Sequence, residues 1–465
     1  ISMKFSSVSM LFLANFRASS LRRISPTFPL LNKIHQKLKF SQIDDGSDSE
    51  VYFYGDKVPF SALGLSKPIL NALELNGTPT STIIQSIAIP KVLEGNDVII
   101  GAETGSGKTL AYLLPLVHLL TECSVEKPAN EMLGKAPSWD IFPDSIILVP
   151  NRALCNQVRS VAKNLLERMD NPLKVEAFFG GAWDYPYNAN HPAPEILICT
   201  PSFLTGYGAL KNIPLFLKVR VLVIDEADML MEGDYAKQLS DILMGFRRAA
   251  RIDPMLLPTK TNFGDNASAE PIKTQFILSA ATLPKYGLKS IDSLVRKMFP
   301  KAVRVIAENM HRQHPALSID WIDLDKNDSR SREKALLEIL SANPATKTMV
   351  FANTARSCER AHKILCAVGI DSVPYHKGVD PLQRETNLKL FQEGEAPILV
   401  CTDLAARGLD VREVEHIVQY EFALNVVQHL HRIGRAARAG RRGKATVFVD
   451  EAGEALARSI RRAGK

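Results

Sequence analysis

Residues 102–109 read Ala-Glu-Thr-Gly-Ser-Gly-Lys-Thr, a glycine-rich stretch that indicates the class of fold. It follows the apolar run Val98–Ile100, which is typical of a buried strand, and it precedes a pattern that predicts a helix over Leu110–Leu120. The glycines allow a tight loop whose backbone N–H groups, together with the start of the helix, can bind polyphosphate. Lys108 is placed to contact the β and γ phosphates, and Thr109 to bind Mg²⁺. A strand, loop and helix without a ligand is the alternative interpretation.

A second polar motif, Asp-Glu-Ala-Asp at residues 225–228, follows the apolar run Val219–Ile224. That run, interrupted only by Arg220, predicts another buried strand. Ligands of open α/β sheets bind beyond the carboxyl ends of the strands, where these acidic side chains emerge. Asp225 is expected to hold Mg²⁺, and Glu226 to act as the general base that polarises the attacking water. A charged surface turn is the alternative, and the phosphate-binding loop on the same chain argues against it.

Apolar runs and helical patterns alternate along two parts of the chain, which predicts parallel sheets covered by helices. We therefore predict an α/β protein with two tandem parallel-sheet domains at residues 58–307 and 317–465, joined by a short linker at 308–316. The predicted strands lie at residues 98–101, 146–149, 196–199, 221–224 and 276–278 in the first domain, and at 348–351, 398–401, 416–418 and 445–449 in the second. Residues 121–143 and 250–273, rich in Pro, Asn, Gly and Lys, are predicted to be surface insertions.

Residues 1–43 differ in composition from the rest of the chain. They contain eight serines and seven basic residues but no Asp or Glu, and a predicted acidic linker at 44–57 follows them. Removing these seven leaves 50 basic and 50 acidic side chains, so the pI of about 9.0 comes from this leader, and nucleic-acid binding must rely on a local basic groove. The leader is typical of an organelle transit peptide, which we expect for the chloroplast, with the mitochondrion as the alternative. A basic tail retained on the mature protein is the other interpretation.

Composition argues against several classes of protein. The chain is 46% hydrophobic and 23% charged, as in soluble globular proteins. No stretch of the sequence approaches the ~18 uninterrupted apolar residues that a membrane span needs, so we expect no membrane association. The six cysteines form no Cys-x-x-Cys pair, which argues against the usual zinc sites and favours reduced, mostly buried thiols. We also expect no stable oligomer.

Further motifs give the chain a specific resemblance to one family. It resembles the DEAD-box ATP-dependent RNA helicases from Phe60 to about Gly443. Gln85, preceded by Thr82, is similar to the element with which that family recognises adenine, because a Gln amide can pair with the edge of the base and an aromatic ring such as Phe60 can stack on it. The ATP-binding residues that the resemblance implies are Phe60, Thr82, Gln85, Ala102, Glu103, Thr104, Gly105, Ser106, Gly107, Lys108, Thr109 and Asp410.

Two strings in the second half also resemble this family, Cys-Thr-Asp-Leu-Ala-Ala-Arg-Gly-Leu-Asp at 401–410 and His-Arg-Ile-Gly-Arg-Ala-Ala-Arg at 431–438. The resemblance implies that Arg435 and Arg438 are arginine fingers that stabilise charge on the γ-phosphoryl group, and that Asp410 contacts the ribose. The residues implied to couple the domains are Asp228, Ala280, Thr282 and His431. For the string at 431–438, the alternative is a basic helix face exposed to solvent. For His431, the alternative is a role in helix packing.

The resemblance also implies two RecA-like domains that share one ATP site. Hydrolysis then requires the cleft to close, and closure forms one continuous RNA groove. ATP and RNA binding should reinforce each other, and the RNA should be held through its backbone without sequence preference. The RNA-binding residues that the resemblance implies are Pro150, Arg152, Gly180, Gly181, Thr200, Arg384, Thr402 and Arg407.

The RNA-facing motifs depart from the family pattern more than the ATP-facing ones do. Asn151 and Ala153 stand where Thr and Glu are usual, and Phe203 replaces an arginine that binds phosphate. Ala280 removes the hydroxyl of the usual Ser-Ala-Thr, unless the neighbouring Ser279 substitutes for it. We therefore expect ATP cleavage to be retained and strand separation to be weakened.

The sequence thus predicts an RNA-stimulated ATPase that acts as an RNA helicase or RNA–protein remodeller, with ATP and Mg²⁺ as cofactors. Ribosomal RNA, in organellar ribosome assembly, is the target expected by analogy. A nucleotide-dependent RNA clamp with little unwinding is the alternative. A nucleotide-binding platform without hydrolysis is disfavoured by Glu226 and the arginine fingers, and a DNA-directed helicase by Gln85 together with the acidic motif.

Overall fold

The computed structural model describes residues 58–463. The gaps in the described range are residues 104, 123–124, 127–141, 170–172, 181–192, 207–212, 232, 252–258, 261–269, 272, 284–290, 308–316, 329, 343–344, 407–410, 412–413 and 437–441. The predicted leader, the acidic linker that follows it and the linker at 308–316 therefore lie outside the described residues.

The first domain alternates strands and helices, as the sequence predicts. After a 3₁₀ turn at Phe60–Ala62, its helices are α1 (Lys67–Leu75), α2 (Ile83–Leu93), α3 (Lys108–Glu122), α4 (Arg152–Leu166), α5 (Pro201–Gly206), α6 (Ile213–Lys218), α7 (Ala227–Leu230), α8 (Gly233–Ala249) and α9 (Ile291–Met298). Its strands are β1 (Val98–Gly101), β2 (Val125–Glu126), β3 (Ser145–Leu148), β4 (Val175–Phe178), β5 (Ile196–Cys199), β6 (Val221–Ile224), β7 (Thr259–Lys260), β8 (Glu270–Pro271), β9 (Gln275–Ala280) and β10 (Val303–Ile306).

Seven of these strands form one parallel sheet in the order β10-β1-β9-β6-β3-β5-β4. Helices cover both faces, which explains why β1, β3, β5 and β6 are buried along their whole length. Alternate residues reach different cores: Val98 and Ile100 pack with α2 and α3, whereas Ile99 packs with α5 and α8. Because β9 lies between β1 and β6, the loop after β1 and the acidic motif after β6 emerge close together at one edge of the sheet.

The second domain repeats this architecture in a smaller form. Its helices are α10 (Ser331–Ala342), α11 (Ala355–Ala367), α12 (Pro381–Glu393), α13 (Asp403–Ala406), α14 (Val426–Ile433) and α15 (Glu454–Ala463). Its strands are β11 (Leu317–Asp323), β12 (Thr348–Ala352), β13 (Ser372–Tyr375), β14 (Ile398–Thr402), β15 (His416–Gln419) and β16 (Gly443–Val449). They form a parallel six-stranded sheet in the order β11-β16-β15-β12-β14-β13. The prediction of an α/β protein with two tandem RecA-like parallel sheets is confirmed.

Four strands of the two large sheets were not predicted from the sequence, namely β4, β10, β11 and β13. All four are edge strands. β11, for example, reads Leu-Ser-Ile-Asp-Trp-Ile-Asp. Only its first residue is buried and the others are half-buried or exposed, so it does not form a continuous apolar run. An edge strand has a neighbour on one side only, so its sequence carries a weaker apolar signal than a central parallel strand.

The two predicted insertions contain short strands that pair with each other. β2 of the first insertion pairs antiparallel with β7 of the second, and β7 pairs antiparallel with β8. Together they form a separate three-stranded sheet. Two segments that we predicted as surface insertions are thus joined by backbone hydrogen bonds.

The described cysteines are unpaired thiols. Cys155, Cys199, Cys358 and Cys401 are buried and Cys366 is exposed, so the expectation of mostly buried free thiols holds for them. Within the described part of the chain, none of the helices is both long and apolar enough to cross a membrane.

Candidate nucleotide site and RNA-facing surface

The phosphate-binding loop is held by the side chain of its own lysine. Lys108 begins α3, is only 8% exposed, and donates from Nζ to the carbonyl oxygens of Ala102 at 2.6 Å and Glu103 at 3.0 Å. Ser106 donates its hydroxyl to the same Glu103 oxygen at 2.7 Å. Gly107 adopts a φ of +95°, which a residue with a side chain rarely adopts. A bound polyphosphate would replace the two carbonyl oxygens as the partner of the lysine charge.

Gln85 connects this loop to α2. Its Oε1 accepts from the Thr82 N–H at 2.8 Å and its Nε2 donates to the Gly107 carbonyl at 3.0 Å, while the Thr82 hydroxyl caps the helix. A Cβ at position 107 would collide with the Gln85 amide. The amide is thus oriented by the backbone of Thr82 and of the loop, and each of its ends keeps a second hydrogen-bonding position. Pairing of Gln85 with an adenine edge stays a prediction.

The structure corrects the prediction that Phe60 stacks on the base. Its ring is 2% exposed and belongs to the apolar core that includes Leu63, Ile69 and Ile89. With neither face of the ring open, core packing is the role that the structure gives Phe60.

The two acidic residues after β6 differ in environment. Asp225 is well satisfied: Tyr112 donates its hydroxyl to Oδ2 at 2.9 Å and the Glu226 N–H donates to Oδ1 at 2.9 Å. Glu226 has a φ of +49°, and among the described residues no other non-glycine has a positive φ. One of its carboxylate oxygens, Oε2, is buried without a hydrogen-bond partner. Burial first, and then the nearby Asp228 and Asp225, raise the pKa of Glu226. A buried carboxylate with a raised pKa suits a general base.

Asp228 joins the two domains. Its Oδ2 accepts from the Thr282 N–H at 2.8 Å, the Thr282 hydroxyl at 2.7 Å and His431 Nε2 at 3.2 Å. Burial works against charge on His431, but the Asp228 carboxylate outweighs it and raises the pKa of the imidazole. Val427, four residues earlier on α14, packs into the apolar core of the first domain. One face of α14 is therefore docked on the acidic motif by both a charged and an apolar contact.

Several of the predicted RNA-binding residues of the first domain lie together. The Gly180 N–H donates to the Thr200 hydroxyl at 3.3 Å, and that hydroxyl is 3.0 Å from the Ser202 hydroxyl. The exposed guanidinium of Arg152 lies 4.6 Å from the centre of the Phe179 ring. Thr200 is only 5% exposed, so it fixes the loops and is not itself a surface contact. This corrects the assignment of Thr200 as an RNA-binding side chain.

The other predicted site residues lie in several different parts of the structure. Pro150 is buried at the end of β3, which corrects its assignment as an RNA contact. In the second domain, Thr402 ends β14 and the half-buried Arg384 lies on α12. Arg435 follows α14 and lines a small cavity between the domains together with Met229. The remaining predicted site residues, Thr104, Gly181, Arg407, Asp410 and Arg438, lie outside the described residues.

Family comparisons agree with this geometry. The DEAD/DEAH box helicase model matches residues 82–290 and the helicase conserved C-terminal domain model matches residues 331–440. The chain is 32% identical to DEAD-box ATP-dependent RNA helicase 22 of Oryza sativa subsp. japonica, over 89% of this chain and 81% of that protein. It is also 32% identical to the protein of the same name from Arabidopsis thaliana, over 90% and 81%. The chain belongs to the DEAD-box RNA helicase family.

Solved structures share the same two-domain fold. Saccharomyces cerevisiae Dbp5 bound to RNA and ADP BeF3 matches with a TM-score of 0.67 at 21% identity, covering 87% of this chain and 93% of that one. Mss116p with a double deletion, bound to ssRNA and AMP-PNP, matches with a TM-score of 0.67 at 22% identity, covering 88% and 78%. As a DEAD-box protein, this chain is an ATP-dependent RNA helicase with RNA-dependent ATPase activity.

The structure shows where two departures from the DEAD-box pattern lie, at Phe203 and at Ala280. Phe203, which replaces a phosphate-binding arginine, is 2% exposed and stacks on Phe178 with ring centres 5.1 Å apart. Ser279 and Ala280 are consecutive residues of β9, so their side chains point to opposite faces of the sheet. Ser279 therefore cannot replace a hydroxyl at 280, which answers the question that the sequence left open. Its own Oγ is buried without a partner.

The oxygen atoms around Asp225 fit a magnesium ion. Thr109 and Asp225 supply the hydroxyl and carboxylate oxygens that Mg²⁺ prefers, and Mg²⁺ in proteins usually keeps several waters. Two buried oxygens have no partner: Glu226 Oε2, on the residue after Asp225, and Ser279 Oγ, on the residue after Leu278, which pairs with Ile224. Such atoms are satisfied when water of a hydrated ion reaches them.

Two residues that hold this DEAD-box site together were missed in the sequence. Tyr112 donates to Asp225, and its signal was its position four residues after Lys108, on the same face of α3. Arg432 is 1% exposed and donates to Asp403, Asn353 and the Glu421 carbonyl. It stands inside the quoted string at 431–438, but nothing in that string distinguishes a buried arginine from an exposed one.

The contact between Arg152 and Phe179 predicts an effect on RNA binding. Phe179→Leu should weaken RNA affinity about 2–5-fold, because the Arg152 guanidinium loses the ring that orients it. This factor corresponds to the loss of one cation–π contact of roughly 0.5–1 kcal/mol. ATP affinity should not change. RNA binding measured by fluorescence anisotropy checks this.

Phe276→Leu is a matched control, since Phe276 is also a partly buried phenylalanine of the first domain but packs on Phe246 and Phe299. In an Arg152→Ala background, Phe179→Leu should have little further effect. An equal loss in both backgrounds would show that Phe179 does not act through Arg152.

Proposed function

We propose that this DEAD-box protein uses ATP hydrolysis mainly to remodel RNA–protein complexes, and that it separates long duplexes less efficiently. The observation that carries the proposal is the contact between His431 of the second domain and Asp228 of the acidic motif, 3.2 Å apart. Because Asp228 follows Glu226 by two residues, closure of the domains is linked directly to the position of the catalytic base.

In the proposed mechanism each domain supplies part of the site. Glu226 accepts the proton of the attacking water, which its raised pKa favours. Lys108 exchanges its carbonyl contacts for the β and γ phosphates, and Arg435 reaches the transferred group across the cleft. Thr109 and Asp225 would hold Mg²⁺, which would neutralise charge on the phosphates. Phosphate release then lets the cleft open again.

Two features support remodelling or clamping over efficient strand separation. The aromatic ring of Phe203 lies in the core where the family pattern has a phosphate-binding arginine. Ala280 offers no hydroxyl to the contacts around Asp228, whose Oδ2 already accepts three hydrogen bonds. A nucleotide-dependent RNA clamp with little unwinding is therefore the second candidate.

The proposal is tested by comparing hydrolysis with strand separation. Residues 44–465 should hydrolyse ATP with stimulation by RNA but separate few short duplexes per ATP. Ala280→Ser, which restores the family hydroxyl, should raise the number of duplexes separated per ATP hydrolysed.

Ser279→Ala is the matched control, because this hydroxyl lies on the opposite face of β9. An unchanged ratio in Ala280→Ser would contradict the role given to position 280. Efficient unwinding by the unmodified protein would contradict the remodeller proposal itself.

We further propose that the protein acts in an organelle, in the chloroplast with the mitochondrion as the alternative, on ribosomal RNA during ribosome assembly. The serine-rich basic composition of residues 1–43, without acidic residues, supports import. The target RNA rests on analogy, since backbone contacts carry no sequence code. A reporter fused to residues 1–43 that stays in the cytosol would refute import. Crosslinking in cells, followed by sequencing of the bound RNA, identifies the target.

A further inference from the structure

Tyr112 is hydrogen-bonded to one of the two residues to which we assign magnesium. It is located one turn after Lys108 on α3, the helix that also carries Thr109, and it is fully buried. Its hydroxyl donates to Asp225 Oδ2 at 2.9 Å. One hydrogen bond therefore joins the helix that carries Thr109 to the Asp225 carboxylate.

The Asp225 carboxylate is held at both oxygens. Its Oδ1 accepts from the Glu226 backbone and its Oδ2 from Tyr112, so rotation of the carboxylate plane would break one hydrogen bond or the other. The Glu226 contact is local in sequence, whereas Tyr112 comes from a different element, 113 residues away. The tyrosine thus ties the end of β6 to the start of α3, the same helix that carries Lys108 and Thr109.

We propose that Tyr112 is a positioning residue that fixes the Asp225 carboxylate relative to α3, and so relative to Thr109, in the orientation required to hold Mg²⁺ with the nucleotide. This inference rests on the magnesium assignment proposed above. Hydrogen bonds from the protein to the ligands of a metal commonly change metal affinity about 10–100-fold. Phenylalanine would fill the same space but leave Asp225 Oδ2 without this donor, in a buried place.

The experiment measures magnesium dependence without hydrolysis. Binding of a fluorescent ADP to the full chain is measured in EDTA and then over a series of Mg²⁺ concentrations. Mg²⁺ should strengthen ADP binding, and the titration gives the Mg²⁺ concentration at which half of this effect is reached. In Tyr112→Phe, we expect that concentration to rise about 10-fold. ADP affinity in EDTA should remain within about 2-fold of the unmodified protein, because the loop and Lys108 do not require the phenol.

Tyr420→Phe is the matched control, since Tyr420 is a tyrosine of the second domain that is 3% exposed, and its ring lies near Arg332. It should leave the Mg²⁺ titration unchanged. If Tyr112→Phe titrates like the unmodified protein, or weakens ADP binding equally in EDTA, the positioning role is overturned. If ADP binding to the unmodified protein does not respond to Mg²⁺ at all, the magnesium assignment fails first.

Discussion

Glu226→Gln is expected to lower ATP turnover by about 10²–10⁴-fold, the usual contribution of a general base, while ATP binding is retained. The amide has nearly the same shape as the carboxylate but cannot accept the proton of the attacking water. The substitution also removes the negative charge of a carboxylate whose buried Oε2 has no hydrogen-bond partner. The stability of the fold should therefore not decrease.

Turnover with saturating RNA and the affinity for a fluorescent ATP analogue check this expectation. Glu176→Gln serves as the control, because Glu176 lies in the same domain but its side chain is 44% exposed. The unmodified enzyme should lose activity on acidification at a higher pH than an ordinary glutamate would cause, since burial raises the pKa of Glu226 and the base works only when deprotonated. Turnover that persists within about 10-fold in Glu226→Gln would exclude Glu226 as the base.

Arg432→Ala is expected to destabilise the second domain by about 3–5 kcal/mol, as is typical when one partner of a buried ion pair is removed. The guanidinium donates from Nε to Asp403 at 2.7 Å, and from its terminal nitrogens to the Glu421 carbonyl and Asn353, both at 2.6 Å. These partners lie at the carboxyl ends of β12, β14 and β15. One side chain therefore holds three strand ends and the helix that carries His431.

Thermal unfolding monitored by calorimetry measures the change. Arg458→Ala, in which the lost side chain is 61% exposed and pairs only with a neighbouring turn of its helix, should shift the transition little. Adding Asp403→Ala to Arg432→Ala should restore part of the stability, because no uncompensated carboxylate then remains. An unfolding midpoint of Arg432→Ala equal to that of Arg458→Ala would show that the network contributes little.

Much of the architecture could be predicted from the sequence, because central parallel strands are continuous apolar runs. All nine predicted strands are present, with bounds that differ by a few residues at most. The missed strands, such as β11 and β13, are at the edges of their sheets and have mixed sequences. The pairing of the two insertions could not be predicted, since β2 and β7 are two residues long and far apart in the chain.

The local motifs of the candidate site could be predicted from the sequence, but the contacts between them could not. The loop and the acidic motif occupy the adjacent positions that their strands imply, because local sequence fixes which strand each of them follows. Contacts between distant elements could not be predicted from the sequence. An example is the contact between Asp228 and His431, which are 203 positions apart. The sequence also could not show that Phe60 is buried or that the Gln85 amide is bonded to Gly107, because both depend on how α2 packs against the loop.

The pairing of β2 with β7 has a consequence for shortened variants of the chain. If the second insertion is deleted, β2 loses its described strand partner, and if the first is deleted, β7 loses one of its two partners. A variant shortened at these places should therefore remove both insertions together, although more than a hundred residues separate them in the chain.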